Sequence, residues 1–392
     1  MFTKEEFVVM WKYYFASFLI GITTLTGAYM FLFFKNDLGM SYFMINLALF
    51  LFLVVDVIFE IPTGAIGDFF GRKTQAIIGT IILAGGGFAL YFSNNGLQVI
   101  LSFAGIGIGW AFFYGAREAW VVDKLKLSGK ENCIQNFFAH SQFFFTFGGI
   151  IGFVAASYLA TIYNLRILWL IDALVTLIIL IPLILEKEVK PADNGMSIIK
   201  IIRETITLIR NNSNLLILML ISFFTAFNIG VVAGYQPFLL VLGMPLFFFG
   251  IKEALKSVFS GVSFLFSHKF TNFPKQILVV TSILSTVFII PLLFVQEDQW
   301  IIAFVLTLLP AFLVVSEPLR FDYQNTFISP HLRSSTLSVF GLATSLGNIF
   351  GYLLGGFALD YWGPQIAIVG FSFVFLINAA LYLKLPFKSK KL

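Results

Sequence analysis

Twelve long apolar runs, separated by short polar stretches, decide what this chain can become. They cover about residues 10–34, 41–66, 74–93, 97–122, 135–160, 164–185, 214–241, 245–267, 276–295, 299–326, 335–358 and 364–385. A bilayer crossing takes about 20 mostly apolar residues. In lipid every backbone N–H and C=O must bond within the protein, and a helix does this inside one segment. The sequence therefore predicts an all-α integral membrane protein with 12 transmembrane helices. The charge content agrees. Only 11% of the 392 residues are charged, against about 25% in soluble domains. So few charges cannot cover a water-facing surface, which excludes a soluble enzyme and a nucleic-acid module. The first run is too long for a signal-peptide core and has no small-residue cleavage pattern, so it is expected to remain as the first helix.

Lys and Arg set the orientation, because they collect on the cytoplasmic side. With both termini in the cytosol, every one of the 25 falls on the inner side except Lys35, Arg166, Lys252 and Lys256, and Arg117 within the inner half of span 4. The net charge of +5 is thus a topology signal, and no nucleic-acid partner is expected. A bacterial inner (plasma) membrane suits the short loops. One cysteine, Cys133, permits neither an internal disulfide nor a thiolate metal cage. No metal or other cofactor is expected.

The longest polar stretch, 186–213, divides six spans from six. It opens with Glu186-Lys187-Glu188, and from Met196 to Arg210 it spaces Ile198, Ile199, Ile202, Ile206 and Ile209 helically among Lys200, Arg203 and Arg210. A surface helix on the inner membrane face fits this pattern. The expected organisation is a six-helix bundle over 1–185, a cytosolic linker with an amphipathic helix over 186–213, and a second six-helix bundle over 214–392. The halves look related. A shift of 199 residues puts Glu118 on Glu317, Asp123 on Asp322, Gly148 on Gly347, Gly152 on Gly351 and Ala156 on Gly355. Equal orientation of the halves suits a parallel repeat about an axis along the membrane normal.

Between spans 2 and 3 the chain reads Gly64-Ala65-Ile66-Gly67-Asp68-Phe69-Phe70-Gly71-Arg72-Lys73. The glycines allow a tight turn and close helix approach. This segment resembles the signature of the major facilitator superfamily in residue types, spacing and cytosolic position. The resemblance implies two six-helix bundles in a pseudo-two-fold arrangement and secondary transport by alternating access. It also implies that Gly64, Asp68, Gly71, Arg72, Lys73 and Asp123 form a conformational latch stabilising an outward-open state. Phe69 departs from the frequent basic residue there, and the corresponding loop Ser267-His268-Lys269-Phe270 is degenerate. Arg117-Glu118-Ala119-Trp120-Val121-Val122-Asp123, Tyr235-Gln236-Pro237 and Arg333-Ser334-Ser335 are similar to a bacterial drug-exporter-like subgroup. Span 5 keeps Gly148, Gly149 and Gly152 but lacks the Gly-Pro kink usual in antiporter members.

Intramembrane charge is costly and tends to face protein or a cavity. The proton-coupling candidates are Asp56, Glu60, Arg117, Glu118, Glu317 and Arg320. Asp56 and Glu60 share a helix face one turn apart. Glu60 can form an ion pair with Arg117, or exchange a proton as that cation moves, since burial favours a neutral carboxyl and a nearby cation a charged one. Glu317 and Arg320, three apart, can bond along their helix. The resemblance implies a cavity wall from helices 1, 4, 7 and 10, with candidates Trp110, Tyr114, Phe223, Phe227, Asn228, Tyr235 and Gln236. Aromatics with a few amides suit an amphipathic organic molecule. The expected function is proton-coupled export of amphipathic drugs, an antiporter for multidrug efflux. The alternative is uptake of a metabolite or siderophore-like compound. The expected partners are a small-molecule substrate, a proton or other ion gradient and the lipid bilayer, with the protein a monomer. The polar stretches hold no catalytic constellation, so the chain is not expected to be an enzyme.

Overall fold

A computed structural model describes residues 4–127, 129, 133–185, 188, 212–270, 272–328 and 333–386. The expected linker helix over 196–210 lies outside the described residues. Every regular element among the described residues is helical. Helix α1 starts at Lys4–Thr23, passes through a 3-10 stretch at Thr24–Ala28 and bends by 40° into Met30–Asp37. There follow α2 (Tyr42–Phe70), α3 (Arg72–Phe92), α4 (Gly96–Leu127), α5 (Ile134–Ile162) and α6 (Arg166–Ile184). The later elements are α7 (Ser213–Val241), α8 (Phe247–Phe266), α9 (Pro274–Phe294) and α10 (Trp300–Asn325). A helical run from Arg333 turns at Gly363 (φ 77°, ψ 161°), giving α11 before it and α12 after it, to Lys384.

Each expected apolar run therefore has its helix. By length and apolarity alone, nine helices among the described residues qualify as crossings, and ten with the bent α1. The difference from twelve has two physical sources. The run Thr336–Lys384 passes as one 49-residue element although Gly363 turns it. Helix α8 carries Lys252, Glu253 and Lys256, which lower its apolarity. Pro291 and Pro310 explain local breaks in α9 and α10: a proline removes an intrahelical N–H and crowds the preceding turn, and both sites continue as 3-10 helix.

The chain divides into two compact units. Unit 1 is Met1–Met40, Leu47–Asn194 and Pro245–Ala254; unit 2 is Ser41–Asn46, Gly195–Met244 and Leu255–Leu392. The break at 194/195 falls inside the polar stretch, but two short pieces change sides. The first turn of α2 belongs to unit 2, where Asp360 accepts from the backbone N–H of Tyr42 (2.9 Å) and Phe43 (2.8 Å), and Asn46 donates to Gly230 O at 2.7 Å. The start of α8 belongs to unit 1, where the Tyr29 hydroxyl donates to Leu246 O at 2.8 Å and accepts from Gly250 N–H at 3.2 Å.

Inside each unit, glycines bring helix backbones together. A Cβ at Gly148 or Gly152 on α5 would strike the carbonyl of Phe18 or Ile22 on α1. A Cβ at Gly347 or Gly351 on α11 would likewise strike the carbonyl of Phe223 or Phe227 on α7. These are the glycines the 199-residue shift superposes, and small residues at such seams are how helices associate without a hydrophobic drive. In unit 1, Trp120 is fully buried and meets the Tyr13 ring edge-on at 5.3 Å. Lysines close the helix ends in both units. Lys73 Nζ donates to Ile184 O at 2.8 Å, and Lys275 Nζ donates to Leu383 O at 2.9 Å, each a cation on the negative end of a helix dipole. We expect Gly148→Val and Gly347→Val each to destabilise the protein by about 1–3 kcal/mol through overpacking. Thermal unfolding in detergent measures this, with Gly85→Val, where a Cβ meets nothing, as the milder control.

Candidate functional site

The signature segment forms the joint between α2 and α3. Gly71 takes φ 97°, a backbone state that glycine adopts without strain. That turn lets α3 begin one residue later and brings Arg72 to the end of α4, where Arg72 Nη1 lies 2.7 Å from Asp123 Oδ2. Both side chains are about four-fifths buried, at 21% and 18% exposure. Glu188 completes the joint. Its carboxylate accepts from the backbone N–H of Lys73 (3.1 Å) and Thr74 (3.3 Å), an anion at a helix N-terminus where the dipole favours it. The sequence signal for Glu188 was only an acid in a polar stretch, 115 residues from its partner. The Asp68 side chain lies outside the described residues. Gly64 is exposed with open space where a Cβ would stand. Phe69, in place of the frequent basic residue, is 82% exposed and packs edge-on against Phe70 at 4.8 Å.

A cavity of about 550 Å³ opens beside this joint within unit 1. Its wall includes Asp56, Glu60, Gly64 and Arg72 from the signature side, and Trp110 and Tyr114 from α4. Gly107 on α4 permits the close approach: a Cβ there would meet Phe52 O at 2.5 Å and Asp56 N at 3.3 Å. Thr63 then ties α2 to α4 by donating to Ala111 O at 3.0 Å. Trp110 and Tyr114 stand 5.7 Å apart, and Tyr114 faces Glu118 one turn on. Asp56 and Glu60 form no ion pair among the described residues. The expected Glu60–Arg117 pair is absent there too. Arg117 instead lies over the Phe113 ring at 5.8 Å, an alternative to a carboxylate for a partly desolvated guanidinium. The two carboxylates are thus left to the cavity.

Unit 2 holds a second cavity of about 370 Å³, walled by α7, α9, α10, α11 and α12. Asn228, Tyr235, Glu317 and Arg320 line it. Arg320 Nη2 donates to Glu317 Oε2 at 2.6 Å, as the i,i+3 spacing suggests. Phe223, Phe227 and Gln236 are not among the lining residues of either cavity. Phe223 and Phe227 lend their carbonyls to the α11 glycine seam, and Phe227 stacks on Phe371 at 5.0 Å. Lys252 is 7% exposed and bonds Glu253 at 3.1 Å.

An all-helical membrane chain with a charged joint and solute-sized cavities is built as a solute carrier. The model of the Major Facilitator Superfamily matches residues 13–319, and the chain belongs to that family. It is a membrane transporter rather than an enzyme. The uncharacterized MFS-type transporter YxaM of Bacillus subtilis is 23% identical over 351 residues, 85% of each chain. The crystal structure of a mutant of the nucleoside transporter NupG has a TM-score of 0.79 at 14% identity, covering 95% of this chain and 98% of that one. The crystal structure of D-xylose-proton symporter has a TM-score of 0.78 at 13% identity, covering 98% of both. At these identities the structural likeness speaks to the fold alone.

The Arg72–Asp123 pair yields a stability prediction. Asp123→Met strands a buried guanidinium and should cost about 3–5 kcal/mol if the site stays closed, whereas adding Arg72→Met should recover much of it, because apolar pairs often replace buried ion pairs at little cost. Unfolding midpoints of the two single variants and the double variant measure the coupling.

Proposed function

We propose that this protein is a proton-coupled secondary transporter that moves a small organic solute by alternating access. One observation carries the reading. Asp56 and Glu60, one turn apart and without ion-pair partners among the described residues, line a cavity of about 550 Å³ beside Trp110 and Tyr114. Unpaired carboxylates open to a cavity can take up a proton on one side and release it on the other. Glu118, outside the cavity lining, interacts with Tyr114 one turn away. Glu317 and Arg320 satisfy each other, so the proton role rests with the unit 1 carboxylates. The signature joint acts as the latch, with Gly64, Asp68, Gly71, Arg72, Lys73 and Asp123 holding the outward-open state and Glu188 bracing the turn. The protein works in a bacterial inner membrane, with both termini cytosolic, as a monomer.

Aromatic rings beside two carboxylates support an amphipathic, cationic solute, and hence export of amphipathic drugs. The second cavity favours the alternative, uptake of a metabolite: its wall includes Thr281, Ser282, Ser285 and Asn378, groups suited to a polar solute. The nucleoside and xylose carriers among the structural neighbours are consistent with that alternative.

The test is solute-driven proton movement in proteoliposomes carrying an internal pH dye. The wild type should acidify or alkalinise the lumen when solute is added. Asp56→Asn and Glu60→Gln should lower that signal at least tenfold while solute binding persists. Wild-type proton flux in both variants would contradict the assignment.

A further inference from the structure

The first turn of α2 is capped by another helix. A helix leaves its first N–H groups without partners of its own. In α2 the N–H groups of Tyr42 and Phe43 donate to Asp360 on α11, one to each carboxylate oxygen, at 2.9 and 2.8 Å. The N–H of Met44 donates to the Ser41 hydroxyl at 3.1 Å. A carboxylate at a helix N-terminus also meets the positive end of the dipole, and hydrogen bonds to a charged acceptor are roughly twice as strong as neutral ones. Close packing seats the same turn. A Cβ at Gly356 on α11 would stand 2.8 Å from Phe43 Cα, and the Phe43 and Phe357 ring centroids are 4.3 Å apart. Asn46 Nδ2 donates to Tyr352 O on α11 at 3.0 Å and to Gly230 O at 2.7 Å, where α7 runs as 3-10 helix.

The start of α8 supplies the comparison. A shift of 199 residues carries Phe153, Tyr158 and Thr161 of α5 onto Tyr352, Phe357 and Asp360 of α11. The packing follows that shift. A Cβ at Gly250 on α8 would strike Phe153 O, and Phe247 meets Tyr158 edge-on at 5.3 Å. The charge does not follow it. Thr161 donates to Tyr158 O in its own helix at 2.8 Å. The start of α8 is closed by its own chain, with Phe248 N–H on Pro245 O at 3.0 Å and Phe249 N–H on Leu246 O at 3.2 Å. The two halves therefore share the seat, and the seat under α2 adds a carboxylate.

We propose that Asp360 is a release catch for α2: its carboxylate holds the first turn, and that turn must leave it before this end of the carrier opens. The turn, Ser41–Asn46, belongs to unit 2, whereas α2 from Leu47 onward belongs to unit 1. One helix is thus shared, and a movement that carries its body with unit 1 must draw Tyr42 and Phe43 off the carboxylate. Water at the helix end can then satisfy the freed N–H groups and the carboxylate. Asn46 Oδ1 is buried in the seat without a hydrogen-bond partner, and release hydrates it. The catch holds by charge and contains one unsatisfied group that favours release. In the orientation proposed above, this end faces outward. Asp360 is a positioning residue that acts through α2 and touches no solute. The proposal rests on the alternating-access reading for the movement, though not for the bonds.

The experiment is pulsed electron resonance on the full chain in lipid nanodiscs, with spin labels on Met44→Cys and Tyr361→Cys in a Cys133→Ser background. With Asp360 intact, one short-distance population should dominate. Asp360→Ala, which removes the cap, should raise the share of longer distances about tenfold. Asp360→Asn, whose amide oxygen still accepts but carries no charge, should raise it about threefold. Thr161→Ala, at the equivalent place in the other half, should leave the distances as they are. Unchanged distances in folded Asp360→Ala overturn the proposal, even where amide hydrogen exchange over 41–46 quickens, since that marks a frayed turn alone. An equal shift in Thr161→Ala also overturns it. If Asp360→Ala does not fold, Asp360→Asn decides. Distances that respond to Asp360 in a protein without solute-driven proton flux would leave the catch standing and overturn the proton-coupled reading. Proton flux with distances indifferent to Asp360 would overturn the catch alone.

Discussion

Lipid offers no hydrogen-bond partner, and the rest of this structure follows from that. Backbone groups must pair inside each segment, so the apolar runs become helices. Once helices exist, the same solvent gives them little reason to associate through apolar area, and close contact must come from shape and polar pairing. The glycines of α5 and α11 supply the shape, because they let backbone meet backbone at Phe18, Ile22, Phe223 and Phe227. The charged groups then have few places to go. Arg72 finds Asp123, Arg320 finds Glu317 and Lys252 finds Glu253.

Against that background the unpaired groups stand out. Asp56 and Glu60 in unit 1 line a cavity and have no ion-pair partner among the described residues. A membrane protein keeps such groups where something else satisfies them, a proton, water or solute. The two cavities divide the work chemically. The unit 1 cavity is acidic and aromatic. The unit 2 cavity is neutral and rich in hydroxyls and amides.

Much of the fold was legible because the constraint is simple. Run length gave each helix, and the 199-residue repeat matched glycines that turn out to serve equivalent seams. The family resemblance implied that Arg72 and Asp123 share one joint, and they pair although 51 positions part them in sequence. What was not legible depended on which way a helix turns. Phe223 and Phe227 share a helix with Asn228 and Tyr235, and their carbonyls meet the seam glycines while the Phe227 ring stacks on Phe371. Glu188 and Lys275 act at helix ends contributed by distant segments, which no local pattern marks. Asn378 was hidden because an amide in an apolar helix says nothing about its neighbours.

The most direct test of proton coupling is a balance measurement in proteoliposomes. A solute gradient is opposed by a pH gradient until net solute movement stops. The account predicts a balance point that shifts with the size of the pH gradient and vanishes as a function of it in Asp56→Asn. A solute distribution that equilibrates to equal concentrations whatever the pH gradient would contradict it.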